Sequence, residues 1–201
     1  RDNLITVKDF AVFNNSGKGP TYGHWITPGS LMYTPVIIPE DPIYVHLKGY
    51  YTSHKYMDKS LVDKYITLPD NITEKLDKKH IIPPTAISLH VRRGEYINEN
   101  NFPVLPLSYY QSAVDHIIST TGITEPDIYI FSDDVDWCRE NFKLLPARYL
   151  DIEHDYEELY IMSKFKYCIT ANSTFSWWGT YLNTPPEIVI SPKTWFNDKR
   201  N

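Results

Sequence analysis

The sequence predicts an α/β protein whose second half, residues 85–201, is a Rossmann-type domain with a doubly wound parallel sheet. A less regular stretch, residues 1–84, precedes it. Three observations predict this. After Pro84, short apolar runs alternate with segments of helical period, the order that demands parallel strands and right-handed crossovers. Three of those runs end in charged or hydroxyl residues, and open α/β sheets bind ligands beyond the carboxyl ends of their strands. The composition is that of a globular chain: 201 residues, 42% of them hydrophobic, are enough for one sizeable core or for one domain and part of another.

The first half carries weak signals. Residues 7–13 alternate as a strand, 14–19 read as a turn, and 21–39 as an irregular, proline-punctuated loop. Residues 43–51 form a clearer strand, closed by Gly49. Ser53 is placed to cap a short helix running through Tyr56, Met57 and Leu61. Residues 66–84, with Pro69, Asp70-Asn71 and Pro83-Pro84, read as a connector, and the boundary is set at its end.

The second half is regular. Residues 86–91 are a strand. Residues 105–120 are a helix: Pro106 suits its first turn, Tyr110, Ala113, Val114, Ile117 and Ile118 recur at helical spacing, and Gly122 stops it. The next strand is 127–131, followed by a short helix through Trp137 and Phe142 and a strand near 148–150. A helix over 155–164, a strand over 167–170, a helix over 174–182 and a last strand over 188–190 complete the pattern.

Charge and motifs narrow the function. A formal net charge of -5 argues against a broad basic face for nucleic acid. No run of eighteen apolar residues and no signal-peptide pattern occurs, so no membrane span is expected. The expected place is the cytoplasm, or a Golgi lumen if an anchor lies upstream. Cys138 and Cys168 are too few and too far apart for a disulfide framework or a zinc site. Sequons at Asn14, Asn71 and Asn172 matter only in a secretory protein.

The central stretch is His90-Val91-Arg92-Arg93-Gly94-Glu95-Tyr96. A guanidinium is a permanently charged planar fork that fits phosphate or carboxylate at two points. Gly94 lets the backbone turn tightly or approach an anion. Ser132-Asp133-Asp134 and Ala171-Asn172-Ser173-Thr174-Phe175 should share its rim, the second as hydroxyls and N–H groups at a helix start, a ready phosphate cradle. Plainer readings stand beside these: surface ion pairs for the arginines, helix caps for Asp133, Ser173 and Thr174. No Walker or Gly-x-Gly-x-x-Gly pattern is present.

These three motifs, the last continuing as Ser176-Trp177-Trp178-Gly179, resemble those of the α-1,2-fucosyltransferase family (glycosyltransferase family 11-like) in order and spacing. The likeness covers roughly residues 45–196 and includes an aromatic segment at 50–56. It implies a GT-B-like fold of two Rossmann-type halves, with the N-terminal, acceptor-side half incomplete here. It also implies inverting transfer of fucose from GDP-fucose to the 2-hydroxyl of a galactose-containing glycan, with no metal and no cofactor. By that resemblance His90 touches guanine through its backbone, and Glu158 accepts from guanine N–H groups. Arg92, Arg93, Ser173, Thr174 and Phe175 hold the diphosphate. Asp133 and Asp134 hold ribose or orient the arginines, and Glu95 is the nearest general base or else an ion-pair partner. Trp177 and Trp178 read as core or interdomain packing, with sugar stacking as the alternative. This chain departs from the family in carrying Glu95 where Asp is usual, and in lacking a glycine-rich Gly-Asn-Gln segment. Two alternatives remain: a non-catalytic GDP-sugar or glycan-binding relative, and a fucosyltransferase for another acceptor.

Overall fold

The computed structural model describes residues 24–26, 33, 35–37, 45–48, 53–143, 145–182 and 185–197. The chain divides into two compact units, Arg1–Pro69 and Asp70–Asn201. In the first, β1 (His24–Ile26) pairs in parallel with β2 (Val45–Leu47). A strand thus lies inside the stretch expected to be an irregular loop. The strand expected over 43–51 is described only over Val45–Leu47. The strand and turn expected over 7–13 and 14–19 lie outside the described residues.

The helix expected to run from Ser53 through Leu61 is two elements. Ser53 caps a 3-10 turn, His54–Tyr56, and Asp58 caps α1, Lys59–Tyr65, by accepting from the N–H groups of Ser60 and Leu61. Aspartate and serine are comparable N-caps, and here each caps its own element. The connector reading of 66–84 is corrected as well. Asp70–Lys79 is a ten-residue helix, α2, and the second unit begins there rather than after Pro84. Its inner face is marked by only two apolar residues one turn apart, half-buried Ile72 and buried Leu76, a short signal between prolines.

The second unit is built as expected. Its five parallel strands are β3 (Ile87–Val91), β4 (Ile128–Ser132), β5 (Ala147–Arg148), β6 (Tyr167–Ile169) and β7 (Ile188–Ile190), in the order β5-β4-β3-β6-β7. The central strand is buried at every position, polar Ser88 and His90 included, as a sheet covered on both faces requires. Leu89 is fully buried, and truncating such a side chain to alanine costs about 2–5 kcal/mol.

Helix α3, Leu107–Thr121, buries Tyr110, Ala113, Val114 and Ile117 on one stripe. Pro106 takes the cap position, and Gly122 ends the helix with φ of 72°. Helices α4 (Val135–Asn141), α5 (Asp155–Met162) and α6 (Thr174–Tyr181) follow, with Asp134 capping α4 and Ser173 capping α6.

Candidate functional site

The strand order has one reversal. From β3 the chain moves outward to β4 and β5, then crosses back to β6 and β7 on the other side. The crevice beyond such a reversal is the usual ligand site of an open α/β sheet. The register fixes what stands there. Val91 pairs with Ser132 and Leu89 with Ile169, so continuing the strands sets residue 92 beside residues 133 and 172.

Asp133 organises the rim. Its Oδ1 accepts the backbone N–H of Arg93 at 2.9 Å, and its Oδ2 lies 3.0 Å from Nη1 of Arg92. The sequence suggested that Gly94 lets the backbone approach an anion, and that anion is this carboxylate. The Nη2 of Arg92 donates to Oε1 of Glu95 at 2.5 Å, and its guanidinium lies 5.3 Å from the Tyr96 ring. Burial works against the charged form of Arg92. The Glu95 hydrogen bond and the charges of Asp133 and Glu95 outweigh it, so the guanidinium is held more firmly protonated than usual.

Arg93 is separately engaged. Its Nε donates to Oδ2 of Asp134 at 3.1 Å, and its guanidinium lies 3.8 Å over the Trp137 ring. Sequence reasoning placed Trp137 on a short helix and gave it no role at the site. Its spacing from Asp134, three residues on within a capped first turn, is the signal that places both against one arginine.

The third rim stretch meets the first through Tyr96, whose hydroxyl donates to the Asn172 carbonyl at 3.1 Å. The Asn172 amide donates to the carbonyls of Pro103 and Trp195, at 3.1 and 3.2 Å. Ser173 Oγ accepts the Phe175 N–H at 3.3 Å, and Thr174 is exposed. Phe175 packs its ring 5.7 Å from His90. His90 is buried, which pushes its pKa down to about 4 and keeps the imidazole neutral at ordinary pH. Its Nδ1 is buried without a hydrogen-bond partner.

Beside this rim, past β4, a cleft of about 350 Å³ is lined by Phe131, Ser132, Arg139, Tyr149, Leu150 and Glu158 among others. Burial pushes the Glu158 carboxyl up to about 7, with the nearby charges of Asp155 and Asp133 adding to the shift. Arg139 and Tyr149, which pack against each other at 5.3 Å, were not singled out from sequence. They come from a helix and from the residue just past a short edge strand, which only the fold brings to one wall.

The structure therefore gathers Arg92, Glu95 and Asp133 into one charged cluster and Arg93, Asp134 and Trp137 into a second. His90 sits with Phe175, and Glu158 lies in the adjoining cleft. Of the two roles set out for Asp133 and Asp134, holding the arginines is the one these contacts display. Among the described residues no group of three or more His, Cys, Asp or Glu gathers as a metal site, and no helix is long and apolar enough to cross a membrane.

The model of glycosyl transferase family 11 matches residues 38–201. The O-antigen biosynthesis glycosyltransferase WbnK of Escherichia coli is 35% identical over 170 residues, covering 74% of this chain and 56% of that protein. An alpha-1,2-colitosyltransferase of Escherichia coli is 30% identical over 159 residues, covering 73% of this chain and 52% of that protein. The chain thus spans about half the length of these curated relatives. A solved structure of POFUT1 in complex with GDP-fucose superposes with a TM-score of 0.51 at 15% identity, over 75% of this chain and 54% of that one. That likeness bears out the Rossmann-type, GT-B-like fold.

Proposed function

The chain belongs to glycosyl transferase family 11, and from that premise we propose that it transfers fucose from GDP-fucose to the 2-hydroxyl of a galactoside, with inversion and without a metal ion. The observation that carries this reading is the Arg92 guanidinium, braced by Asp133 at the sheet's reversal point, one strand from the cleft that holds Glu158. Guanine takes the cleft, where a carboxylate reads two adjacent N–H donors and the backbone of His90 adds a contact. The diphosphate takes the rim, between Arg92 and the N–H groups of Thr174 and Phe175 at the start of α6.

The bond from the sugar's anomeric carbon to the GDP oxygen breaks while the acceptor oxygen attacks from the opposite face. Negative charge grows on the departing diphosphate, and a preorganised guanidinium stabilises that charge more than it stabilises the intact donor. The acceptor's hydroxyl proton passes to Glu95, the exposed carboxylate of the rim. Arg93, turned to Asp134 and Trp137, supports the loop that aims Arg92.

Incubating the chain with GDP-fucose and a lactose-type acceptor, with mass-spectrometric detection of the fucosylated product, tests the proposal. A second reading, a colitosyl donor, is favoured by the 30% identical colitosyltransferase. Product with that donor alone moves the donor assignment. GDP binding without any transfer favours a non-catalytic GDP-sugar-binding relative.

A further inference from the structure

Arg92 is held by two carboxylates that differ in almost every physical respect. Asp133 has a side chain 25% exposed, touches Arg92 with one oxygen, accepts the Arg93 N–H with the other, and rests against Gly94. It cannot leave without breaking all three contacts. Glu95 has a side chain 68% exposed, and it accepts the hydrogen bond from Nη2 of Arg92 from the solvent side. An exposed ion pair of this kind is weak, because water solvates both charges when it opens. The same Nη2 is the Arg92 donor that an anion arriving at the rim needs for two-point contact.

Resting on the reading of Arg92 as the diphosphate anchor, we propose that Glu95 is an exchangeable counter-ion of Arg92, displaced by the incoming diphosphate, while Asp133 stays as the fixed one. The exchange has a chemical consequence. A carboxylate hydrogen-bonded to a guanidinium is a poor proton acceptor, and one released beside the diphosphate is a better one. Donor binding therefore frees the base that the acceptor requires, which orders the reaction: nucleotide sugar first, acceptor second.

Calorimetry on the full chain with GDP and with inorganic pyrophosphate tests this, using Glu95→Gln and, as a control for general charge, Glu99→Gln, an exposed acid four residues on. Glu95→Gln removes the competitor, so both ligands should bind about two- to fivefold more tightly, the range an exposed ion pair commands. Its turnover should fall. Glu99→Gln should bind as the parent does. A purely structural Glu95 predicts equal or weaker binding in Glu95→Gln, and that result overturns the exchange. Equal tightening in both variants overturns it too, since overall charge then explains the gain. If GDP binds the parent no better than pyrophosphate, the guanine assignment fails while the exchange is still decided on pyrophosphate. Failure of both ligands to bind the parent overturns the site and the exchange together.

Discussion

The carboxylate of Asp133 lies so close to Gly94 that a Cβ on residue 94 would stand 2.5 Å from Asp133 Oδ2. The neighbour is not the free end of a flexible chain, since it is also bonded to Arg92 and to the Arg93 backbone. Gly94→Ala should therefore destabilise the fold by about 1–3 kcal/mol, as overpacking does, and weaken GDP by loosening Arg92. Thermal unfolding and calorimetry check both effects. A parent-like midpoint with parent-like GDP binding would show that the carboxylate has room to move.

Glu158 gives a pH signature. Burial lifts its carboxyl from an ordinary 4.5 to about 7, so the folded chain holds this proton more tightly than the unfolded one. The resulting stabilisation is full below about pH 4.5 and is lost as pH rises through about 7. Because glutamine mimics the protonated acid, melting curves of parent and Glu158→Gln should coincide in acid and diverge as pH rises through about 7, the variant becoming the more stable. GDP binding should run the other way, tightening as pH rises through about 7, because only the ionised carboxylate accepts from guanine. In Glu158→Gln that dependence should vanish and GDP should weaken by about 1.5–3 kcal/mol, with UDP nearly unaffected.

Arg92→Lys keeps the charge and removes the planar fork. Turnover should fall by about a hundredfold or more, as when one preorganised oxyanion donor is lost. Binding of GDP-fucose should fall much less, because the intact donor carries less charge to stabilise. Steady-state kinetics beside direct binding separates the two, and an unchanged turnover number removes Arg92 from catalysis.

Transfer should survive EDTA. The carboxylates of Asp133 and Asp134, adjacent in sequence, are committed to different arginines, at 3.0 and 3.1 Å, and do not converge on a shared point. Activity lost in EDTA and restored by Mn²⁺ would mean that a divalent ion supplies the charge assigned to Arg92.

Much of the second unit was legible because its signals are local. Period, caps and stop residues in one window suffice to mark Leu107–Thr121, and the alternating apolar residues Ile87, Leu89 and Val91 mark the central strand. The helix Asp70–Lys79 was missed because only Ile72 and Leu76, one turn apart, mark an apolar face among charged residues. At the rim, residue types pointed to anion chemistry, but which acid meets which arginine depends on strand register. Glu95 follows Arg92 closely enough for a helical-turn contact to be weighed in advance, whereas Asp133 is forty-one residues away in sequence. The wall formed by Arg139 and Tyr149 had no local signal at all.

Asn172 is the acceptor position of an Asn-Ser-Thr sequon, yet it is 1% exposed and spends its amide hydrogens on Pro103 and Trp195. A sugar chain linked to that nitrogen has nowhere to go in the finished domain. Production through a eukaryotic secretory route, where oligosaccharide is attached while the chain is still emerging, would therefore set modification against folding at this one side chain. Every molecule glycosylated there would be barred from packing Asn172 against Pro103 and Trp195.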